Sequence, residues 1–281
     1  MGSNYSVIIP YRDTFDLLVK SIESIPDRED IQIIIVDNSS NPLSIKDLPK
    51  RQNSSIGLFF SDSTLGAGAA RNEGLKHSNG RWILFLDADD YFLPNAFQVF
   101  DQYIESTSDI IYFEADSIKL HDGSKSSRHI PIHEYVQSYL QTGNEDGLRY
   151  RFVNPIAKMM RAEFLIDSGI TFDEVKASND MMFSIRTGYA AQLIDANPAK
   201  VYMITEGEKN TSLTRTISKE NQWSRFQVYI RQYHFMESIG RKDLRFHLLS
   251  SIARAFQRFG LKEGLKYLRY ASKEKVNIFL I

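Results

Sequence analysis

Short, strongly apolar runs alternate with segments of helical periodicity in the first part of the chain. Three of these runs end in polar, turn-forming residues: YSVIIP (5–10), IQIIIVDNSS (31–40) and RWILFLDADD (81–90). Runs this short and this rich in Ile and Val are typical of strands buried on both faces of a parallel sheet. We predict further strands in DIIYFEADSI (109–118) and in AQLIDA or KVYMIT, within 191–205.

The segments between the first strands have the spacing of amphipathic helices. Residues 14–25 carry apolar side chains every three or four positions, at Phe15, Leu18, Val19, Ile22 and Ile25. Residues 68–80 predict a second helix that ends at Asn79-Gly80. Strand–helix–strand alternation of this kind predicts a right-handed α/β unit.

The pattern becomes helical throughout from about Asn221, with breaks at Gly240 and Gly260. We place a soft boundary near residue 215. The sequence therefore predicts an α/β domain over residues 1–215, followed by a helical C-terminal region over residues 216–281.

Composition narrows the class of protein but names no partner. The hydrophobic fraction of 42% and the charged fraction of 25% are those of an ordinary globular protein, and the net charge of −1 does not favour nucleic acid as a ligand. The absence of cysteine excludes disulfides and thiolate chemistry and suits a reducing compartment. We see neither a signal peptide nor an apolar run near the ~20 residues that span a bilayer, so we expect a cytoplasmic enzyme or binding protein.

Polar residues follow three of the predicted strands at the point where each strand ends. They are Pro10-Tyr11, Asp37-Asn38 and the carboxylates after residue 86. Open α/β sheets bind ligands outside the carboxyl ends of their strands. We therefore expect these residues to converge on one crevice.

Asp87, Asp89 and Asp90 stand close together at the end of the third strand. Crowded carboxylates repel one another unless a cation or a proton relieves the repulsion. Mg²⁺ typically binds one or two carboxylates together with substrate phosphates, so Asp87-x-Asp89 is a candidate metal–diphosphate site. Alternatively, these acidic residues only cap a helix that begins around residues 94–96. The D-x-D pattern alone does not separate the two.

Five segments in one order carry a family resemblance: VIIPYRD, IIIVDNSS, TLGAGAARNEGL, GRWILFLDADDYFLPNAF and SNDMMFSIR. The set resembles the inverting family 2 glycosyltransferases of the GT-A fold, over roughly residues 5–215 and most specifically over 64–97. The resemblance implies a GT-A type, Rossmann-like mixed and mainly parallel sheet flanked by helices. It also implies a nucleotide-sugar half at about 1–117 and an acceptor half at about 118–215.

The resemblance implies donor-binding roles for four residues at the strand ends and on the second helix. Pro10, Tyr11 and Asp37 match positions that hold the nucleotide base, and a carboxylate suits a base with an N–H group, such as uracil. Arg71 matches an arginine that contacts the nucleotide, and its planar fork fits phosphate or base edges. The alternatives are that Asp37 only closes a strand and that Arg71 forms a salt bridge on the helix surface.

The resemblance also implies the residues that act at the reacting centre. Asp87 would meet the ribose and, with Asp89, the Mn²⁺ or Mg²⁺ that bridges the diphosphate. Asp180 matches the catalytic base, which takes the proton of the acceptor hydroxyl as that hydroxyl attacks the anomeric carbon. Alternatively, Asp180 is only the N-cap of the helix that follows. Asn38 replaces a frequent second Asp, and Asn179 replaces the usual Glu before the base, which weakens inferences about the acceptor.

Three further features are open to two interpretations. Residues 201–216 resemble a flexible loop of the family in which Ser212, Thr214 and Arg215 would close over the diphosphate; the alternative is a plain surface loop. Lys158 matches a basic position before the acceptor region; the alternative is a solvated lysine. QWSRF (222–226) is similar to the Gln-x-x-Arg-Trp signature of processive synthases, but it has Phe in place of the final Trp. We therefore expect an ordinary helix there.

Two histidines and the C-terminal region complete the candidates. His129 and His133 have the spacing of metal ligands on a helix, but no third ligand is evident and we expect surface histidines. Residues 241–275 contain ten Lys/Arg and three Asp/Glu, with an apolar stripe at Leu244, Leu248, Ile252, Phe256 and Phe259. A basic amphipathic helix can lie on an anionic membrane; alternatively the stripe packs on the catalytic domain.

Together these features predict a metal-dependent inverting glycosyltransferase. It would transfer one sugar from a nucleotide-diphosphate donor, with uridine as the base, to a glycan or lipid-linked acceptor in surface polysaccharide assembly. Three alternatives are weaker. A dinucleotide-dependent oxidoreductase would need a strand before GAGAAR, where FFSDST is a poor one. A sugar-phosphate nucleotidyltransferase would need a Gly- and Arg-rich loop in place of PYRDTF. An inactive sugar-nucleotide-binding module is suggested only by Asn179.

Overall fold

A single mixed sheet forms the centre of the computed structural model, which describes residues 2–207 and 218–278. Within these residues the strands are β1 (Tyr5–Tyr11), β2 (Ile31–Asp37), β3 (Ser55–Phe60), β4 (Trp82–Phe85), β5 (Tyr91–Phe92), β6 (Ile110–Lys119), β7 (Lys158–Arg161) and β8 (Ile194–Glu206). Their order across the sheet is β3-β2-β1-β4-β7-β6-β8-β5. The predicted α/β architecture with a mixed, mainly parallel sheet is confirmed.

Helices cover the sheet and continue beyond it at the C-terminal side. They are α1 (Phe15–Glu23), α2 (Gly66–His77), α3 (Ala96–Phe100), α4 (Ile130–Thr142), α5 (Ala162–Ser168), α6 (Met181–Ala190), α7 (Lys219–Ser238), α8 (Leu249–Phe259) and α9 (Leu261–Lys273). The predicted helices between the first strands are α1 and α2. The predicted breaks at Gly240 and Gly260 are confirmed, because both residues lie outside the helices with positive φ.

The three apolar runs pair as the parallel core of the sheet. β1 lies between β2 and β4 and is parallel to both. The Ile, Val and Leu side chains of these three strands are fully buried, which explains why the sequence shows continuous apolar runs rather than alternation. The strand ends lie side by side as a result.

The sequence pattern does not predict three strands of the described chain: β3, β7 and the two-residue β5, which pairs antiparallel with β8. β3 pairs with β2 at the edge of the sheet, and most of its residues are only half-buried. It ends at Phe60, so a strand does precede GAGAAR, although FFSDST has a weak strand pattern. β7 is short and runs antiparallel between β4 and β6. The last predicted strand is longer than expected, because β8 covers the second half of AQLIDA and all of KVYMIT.

The C-terminal helices form their own apolar cluster on top of the α/β part. Leu248 and Ile252 of the predicted stripe are buried among side chains of α7 and α9, including Phe226 and Tyr267. The stripe therefore packs mainly on the neighbouring helices. One face of α7 also packs on α6, where Val228 contacts the Met181–Met182 region. The division of the chain near residue 215 stays a prediction.

Among the described residues, no helix combines the length and the hydropathy required to cross a bilayer.

Candidate active site

The carboxyl ends of β1, β2 and β4 bring the predicted donor-binding residues together. Tyr11 is the direct partner of Asp37 in the parallel register of β1 and β2. On the other side of β1, the Leu86 amide donates to the Ile8 carbonyl at 3.0 Å, so Asp87 follows directly beside Pro10. The three strand ends therefore lie side by side, and a common ligand crevice at this edge stays a prediction.

The carboxylates after β4 form a compact cluster. One oxygen from each of Asp87, Asp89 and Asp90 lies within 4.8 Å of the others. Asp90 is buried, and its carboxylate accepts hydrogen bonds from the Tyr202 hydroxyl at 2.9 Å and from the Thr205 amide at 2.7 Å. Burial and the neighbouring Asp89 raise the pKa of Asp90 well above its usual range. Asp90 therefore ties β4 to β8, and the other two carboxylates are the better metal ligands.

The environment of Asp89 fits a cation. Its side chain is exposed to solvent, and partial desolvation by the nearby protein together with the repulsion of Asp87 raises the pKa of Asp89 to about 6. Mg²⁺ binds oxygens at about 2.1 Å, so two ligands of one ion lie at most about 4.2 Å apart. Small side-chain rotations would bring the carboxylate oxygens to that separation. Asp87 and Asp89 thus offer the donor set that Mn²⁺ or Mg²⁺ prefers.

Arg71 joins the carboxylate cluster to the loop before α6. Its guanidinium forms an ion pair with Asp87 at 2.6 Å and donates to the Asn179 side-chain oxygen at 2.9 Å. The residue is 5% exposed and packs over the Phe172 ring at 5.4 Å, and its buried Nε has no hydrogen-bond partner. The interpretation of Arg71 as a surface salt bridge is therefore wrong. The sequence did not predict the contact of Arg71 with Asn179. Its only signal was that Asn stands at position 179, where the family usually has Glu.

Gly68 lies where α2 closely approaches the loop before α6. A Cβ atom at this position would lie 2.2 Å from the Asp173 carbonyl oxygen and 2.9 Å from the Asn179 Cβ. Only glycine allows α2 to approach the loop this closely. The glycine thus serves helix–loop packing at the same loop that Arg71 contacts.

Asp180 stands at the start of α6 with a carboxylate that does not cap the helix. It occupies the N-cap position, but its side chain forms no capping hydrogen bond. Ser178, two residues earlier, has φ of +60°, a conformation that is rare for residues other than glycine and that often marks functional sites. Burial raises the pKa of the Asp180 carboxyl, and the positive charge of Arg71 partly opposes this. A carboxylate of raised pKa is a better proton acceptor than an exposed one.

Lys158 is buried, so the interpretation of a solvated lysine is wrong. The residue is 2% exposed, and its ammonium donates to the Phe152 carbonyl at 2.8 Å. The same group lies 4.3 Å from the centre of the Phe152 ring and 5.1 Å from that of Tyr112. Burial lowers the pKa of Lys158 to about 7, and attraction to Asp180 partly opposes the shift. The only sequence signal for this burial was the apolar context IAKMMR.

Asp37 closes the turn after β2. Its two carboxylate oxygens accept hydrogen bonds from the Ser39 and Leu43 amides, both at 2.7 Å. Each oxygen keeps a second acceptor position, so the turn contacts do not exclude a ligand N–H. A contact with the nucleotide base stays a prediction for Asp37, Pro10 and Tyr11.

A cavity of about 510 Å³ lies next to the carboxylate cluster. Its lining includes Asp89 and Asp90, apolar side chains of β6 such as Ile118, and residues of α1 such as Leu17. Pro10, Tyr11, Asp37 and Arg71 are not among its lining residues. Asp89 therefore faces this cavity, on a different side of the cluster from the ion pair of Asp87 with Arg71.

The other residues singled out from the sequence lie away from the carboxylate cluster or outside the described residues. Ser212, Thr214 and Arg215 lie outside the described residues. His129 is paired with the Ser117 hydroxyl at 2.7 Å, and the half-exposed His133 with Glu114 at 2.8 Å, as expected of surface histidines. QWSRF lies in the first turns of α7, as predicted for an ordinary helix.

Comparisons with known proteins agree with this architecture. The family described as Glycosyl transferase family 2 matches residues 6–169. A poly(ribitol-phosphate) beta-glucosyltransferase of Bacillus spizizenii is 26% identical over 201 residues, which are 68% of this chain and 30% of that protein. The poly(ribitol-phosphate) beta-N-acetylglucosaminyltransferase TarS of Staphylococcus aureus is 23% identical over 220 residues, 74% of this chain and 37% of TarS. The chain thus spans about a third of the length of these two relatives.

Solved structures show the same fold. The crystal structure of S. aureus TarS 1-349 in complex with UDP-GlcNAc superimposes with a TM-score of 0.60 at 19% sequence identity, covering 91% of this chain and 73% of that one. The GT-A fold predicted from the sequence is confirmed by this similarity. Because the family match extends over more than half of its residues, the chain belongs to glycosyl transferase family 2.

Proposed function

We propose that this protein is a metal-dependent inverting glycosyltransferase that uses a UDP-sugar. The observation that carries the proposal is the arrangement around Arg71. This one buried side chain connects Asp87 of the carboxylate cluster to Asn179, the residue directly before Asp180. The candidate donor site and the candidate base are thereby held in one unit. A TarS structure contains UDP-GlcNAc, which supports uridine as the base of the donor.

In the proposed complex, the donor lies across the carboxyl ends of β1, β2 and β4. Pro10, Tyr11 and Asp37 would contact the base, Asp87 the ribose, and Arg71 the phosphates. Asp87 and Asp89 would hold a Mn²⁺ or Mg²⁺ ion. The bound ion supplies positive charge for the diphosphate group. Arg215 stays a predicted donor contact.

Asp180 would act as the general base. It takes the proton of the acceptor hydroxyl while the hydroxyl oxygen forms a bond to the anomeric carbon. The bond from that carbon to the diphosphate oxygen breaks on the opposite face, so the configuration inverts. The raised pKa of Asp180 favours the proton transfer, which typically contributes ~10²–10⁴-fold to the rate. Asn179 accepts a hydrogen bond from Arg71. The replacement of the usual Glu by Asn at this position therefore still leaves Asp180 held beside Arg71.

The acceptor class follows from the relatives and from the strongly basic C-terminal helices. Two relatives are named for poly(ribitol-phosphate) acceptors, and another is named as the succinoglycan biosynthesis protein ExoO of Rhizobium meliloti. We propose a surface polymer or its lipid-linked precursor as acceptor, in the cytoplasm. Contact with the inner face of the membrane stays a prediction from the sequence, because the apolar stripe is largely used by helix packing.

A thermal-shift experiment tests the donor and metal assignments. UDP-, GDP- and CDP-sugars are each added with and without Mn²⁺, and we expect the largest stabilisation from a UDP-sugar with Mn²⁺. Asp89→Ala should abolish the metal-dependent part of the shift. Asp167→Ala, which removes an exposed carboxylate of α5, is the matched control and should leave it unchanged. An equal, metal-independent shift in wild type and Asp89→Ala would refute the site.

A further inference from the structure

A small polar cavity lies between α7 and α8, apart from the candidate active site. Its volume is about 140 Å³, and three of its lining residues are arginines: Arg225 from α7, and Arg254 and Arg258 from α8. None of the described residues that line it is acidic. Arg254 and Arg258 bring two like charges together at this cavity, and an anion that enters relieves their repulsion.

The two α8 arginines are not engaged with carboxylates of the described chain. Among residues 2–207 and 218–278, Arg254 donates to the hydroxyls of Ser250 and Ser251, at 3.3 and 3.4 Å, and to no carboxylate. Arg258 is exposed and forms no ion pair with a described residue. Arginines with a structural role nearby differ in this respect. Arg241, for example, is paired with Asp146 at 2.6 Å. The helices are held by apolar packing, so the α8 guanidinium groups are not required for it.

The cavity and the loop that carries Asp180 lie on two faces of the same helix. Ser224 of α7 accepts a hydrogen bond from the Ala177 amide at 3.3 Å and donates one to the Ala177 carbonyl at 3.2 Å. Arg225 is the next residue and points to the cavity. An α-helix with its side chains is about 10 Å wide. A ligand that reaches from Asp180 to the cavity must therefore span on the order of 10 Å.

We propose that this arginine cavity binds a phosphate group of the acceptor, and that the acceptor is a phosphodiester-linked polyol or glycan chain. The proposal rests on the proposed function, because it deepens the acceptor assignment. Arginine forms paired hydrogen bonds with the oxygens of a phosphate anion, whereas a neutral sugar offers no negative charge to the guanidinium. The volume of the cavity is several times the roughly 30 Å³ that one water molecule occupies, so a phosphate group fits with part of its hydration shell. The distance to Asp180 means that only chains longer than one unit reach both sites.

Equilibrium binding of a fluorescent polyol-phosphate oligomer tests this inference. The test variant is Arg254→Gln/Arg258→Gln. The matched control is Lys262→Gln/Arg269→Gln, which removes the same charge from exposed positions of α9 outside the cavity. Glutamine keeps helix propensity, and equal melting temperatures establish that both variants fold. We expect the test variant to raise Kd for a long oligomer about tenfold and the control to change it less than about twofold, since tenfold corresponds to 1.4 kcal/mol. A single polyol-phosphate unit cannot occupy the cavity and the Asp180 site at once, so it should bind the wild type more weakly than the long oligomer does.

Three other outcomes overturn the inference. Equal weakening in both variants would assign the effect to general surface charge, and an unchanged Kd would show that the cavity binds no phosphate. Phosphatidylglycerol vesicles separate the polymer from a lipid headgroup. If the test variant loses vesicle binding but keeps oligomer binding, the ligand is the membrane. Hydrolysis of UDP-sugars without acceptor reports on the proposed function separately: if the wild type neither binds nor hydrolyses donors but binds the oligomer through the cavity, the glycosyltransferase assignment fails and the phosphate site remains.

Discussion

Replacing the buried Lys158 by methionine should remove a pH dependence of folding stability. Methionine has a similar length and packs well in apolar surroundings, so it fills the space between Phe152 and Tyr112 without a charge. The ordinary pKa of Lys158 is 10.5, and burial lowers the pKa to about 7 in the folded chain. Each pKa unit corresponds to 1.36 kcal/mol, so keeping the group protonated in the fold costs on the order of 5 kcal/mol.

The sign of the effect follows from proton binding. Below pH 7 both the folded and the unfolded chain carry the proton, and the full cost is present. Between about pH 7 and pH 10.5 the unfolded chain still binds the proton while the folded chain has lost it. The free energy of unfolding therefore rises with pH in this window, by about 1.4 kcal/mol per unit. From pH 6 to pH 9 the contribution of Lys158 amounts to about 2 to 3 kcal/mol.

Urea unfolding of wild type and Lys158→Met at pH 6, 7.5 and 9 measures this contribution. The variant loses the hydrogen bond to the Phe152 carbonyl, which costs about 1–3 kcal/mol at every pH. We therefore expect the stability of the variant relative to wild type to fall by about 2 to 3 kcal/mol between pH 6 and pH 9. Lys262→Met, at an exposed position of α9, should show no such change. Parallel stability curves for wild type and Lys158→Met would refute the argument that the lysine is buried and titrates near neutrality.

Three further predictions concern the base and its loop. Asp180→Asn keeps the shape and the N-cap position, so donor-induced thermal shifts should persist while transfer falls by about 10²–10⁴-fold; a fully active variant would contradict the assignment. The pH profile of kcat should have an acid limb above the ordinary aspartate pKa, because the base must be deprotonated and burial raises its pKa; a limb at or below the ordinary value would count against Asp180. Gly68→Ala should lower the free energy of unfolding by about 2 kcal/mol or more in urea titrations, because its Cβ meets backbone at 2.2 Å; an unchanged midpoint would show that α2 can move away from the loop.

The parts of the fold that depend on local pattern were predictable from the sequence. β1, β2 and β4 are continuous apolar runs that end in polar residues. The pattern therefore predicts neighbouring parallel strands whose carboxyl ends lie side by side. β3 was missed because an edge strand is only half-buried and needs no strong pattern. β7 was missed because its four residues acquire their conformation by pairing with β4 and β6, which are distant in sequence.

The candidate site shows the same division between local and long-range information. The crowding of Asp87 and Asp89 could be read from their spacing, and the structure keeps them together. The roles of Asp90 and Arg71 depend on Tyr202 and Asn179, which are far away in the chain. The burial of Lys158 likewise depends on the distant Tyr112 as well as on the nearby Phe152. No window of sequence around these residues contains those distant partners, so burial and pairing could not be inferred from it.

The attachment of α7 to the loop before Asp180 limits how the chain can be shortened or recombined. Besides Ser224, Arg231 of α7 holds this loop, through an ion pair with Asp173 at 2.9 Å. A chimera that joins the first 215 residues to a foreign C-terminal module would discard both supports. Protein engineers who want to exchange acceptor preference between relatives should therefore keep α7 with the α/β part and place the junction after Ser238.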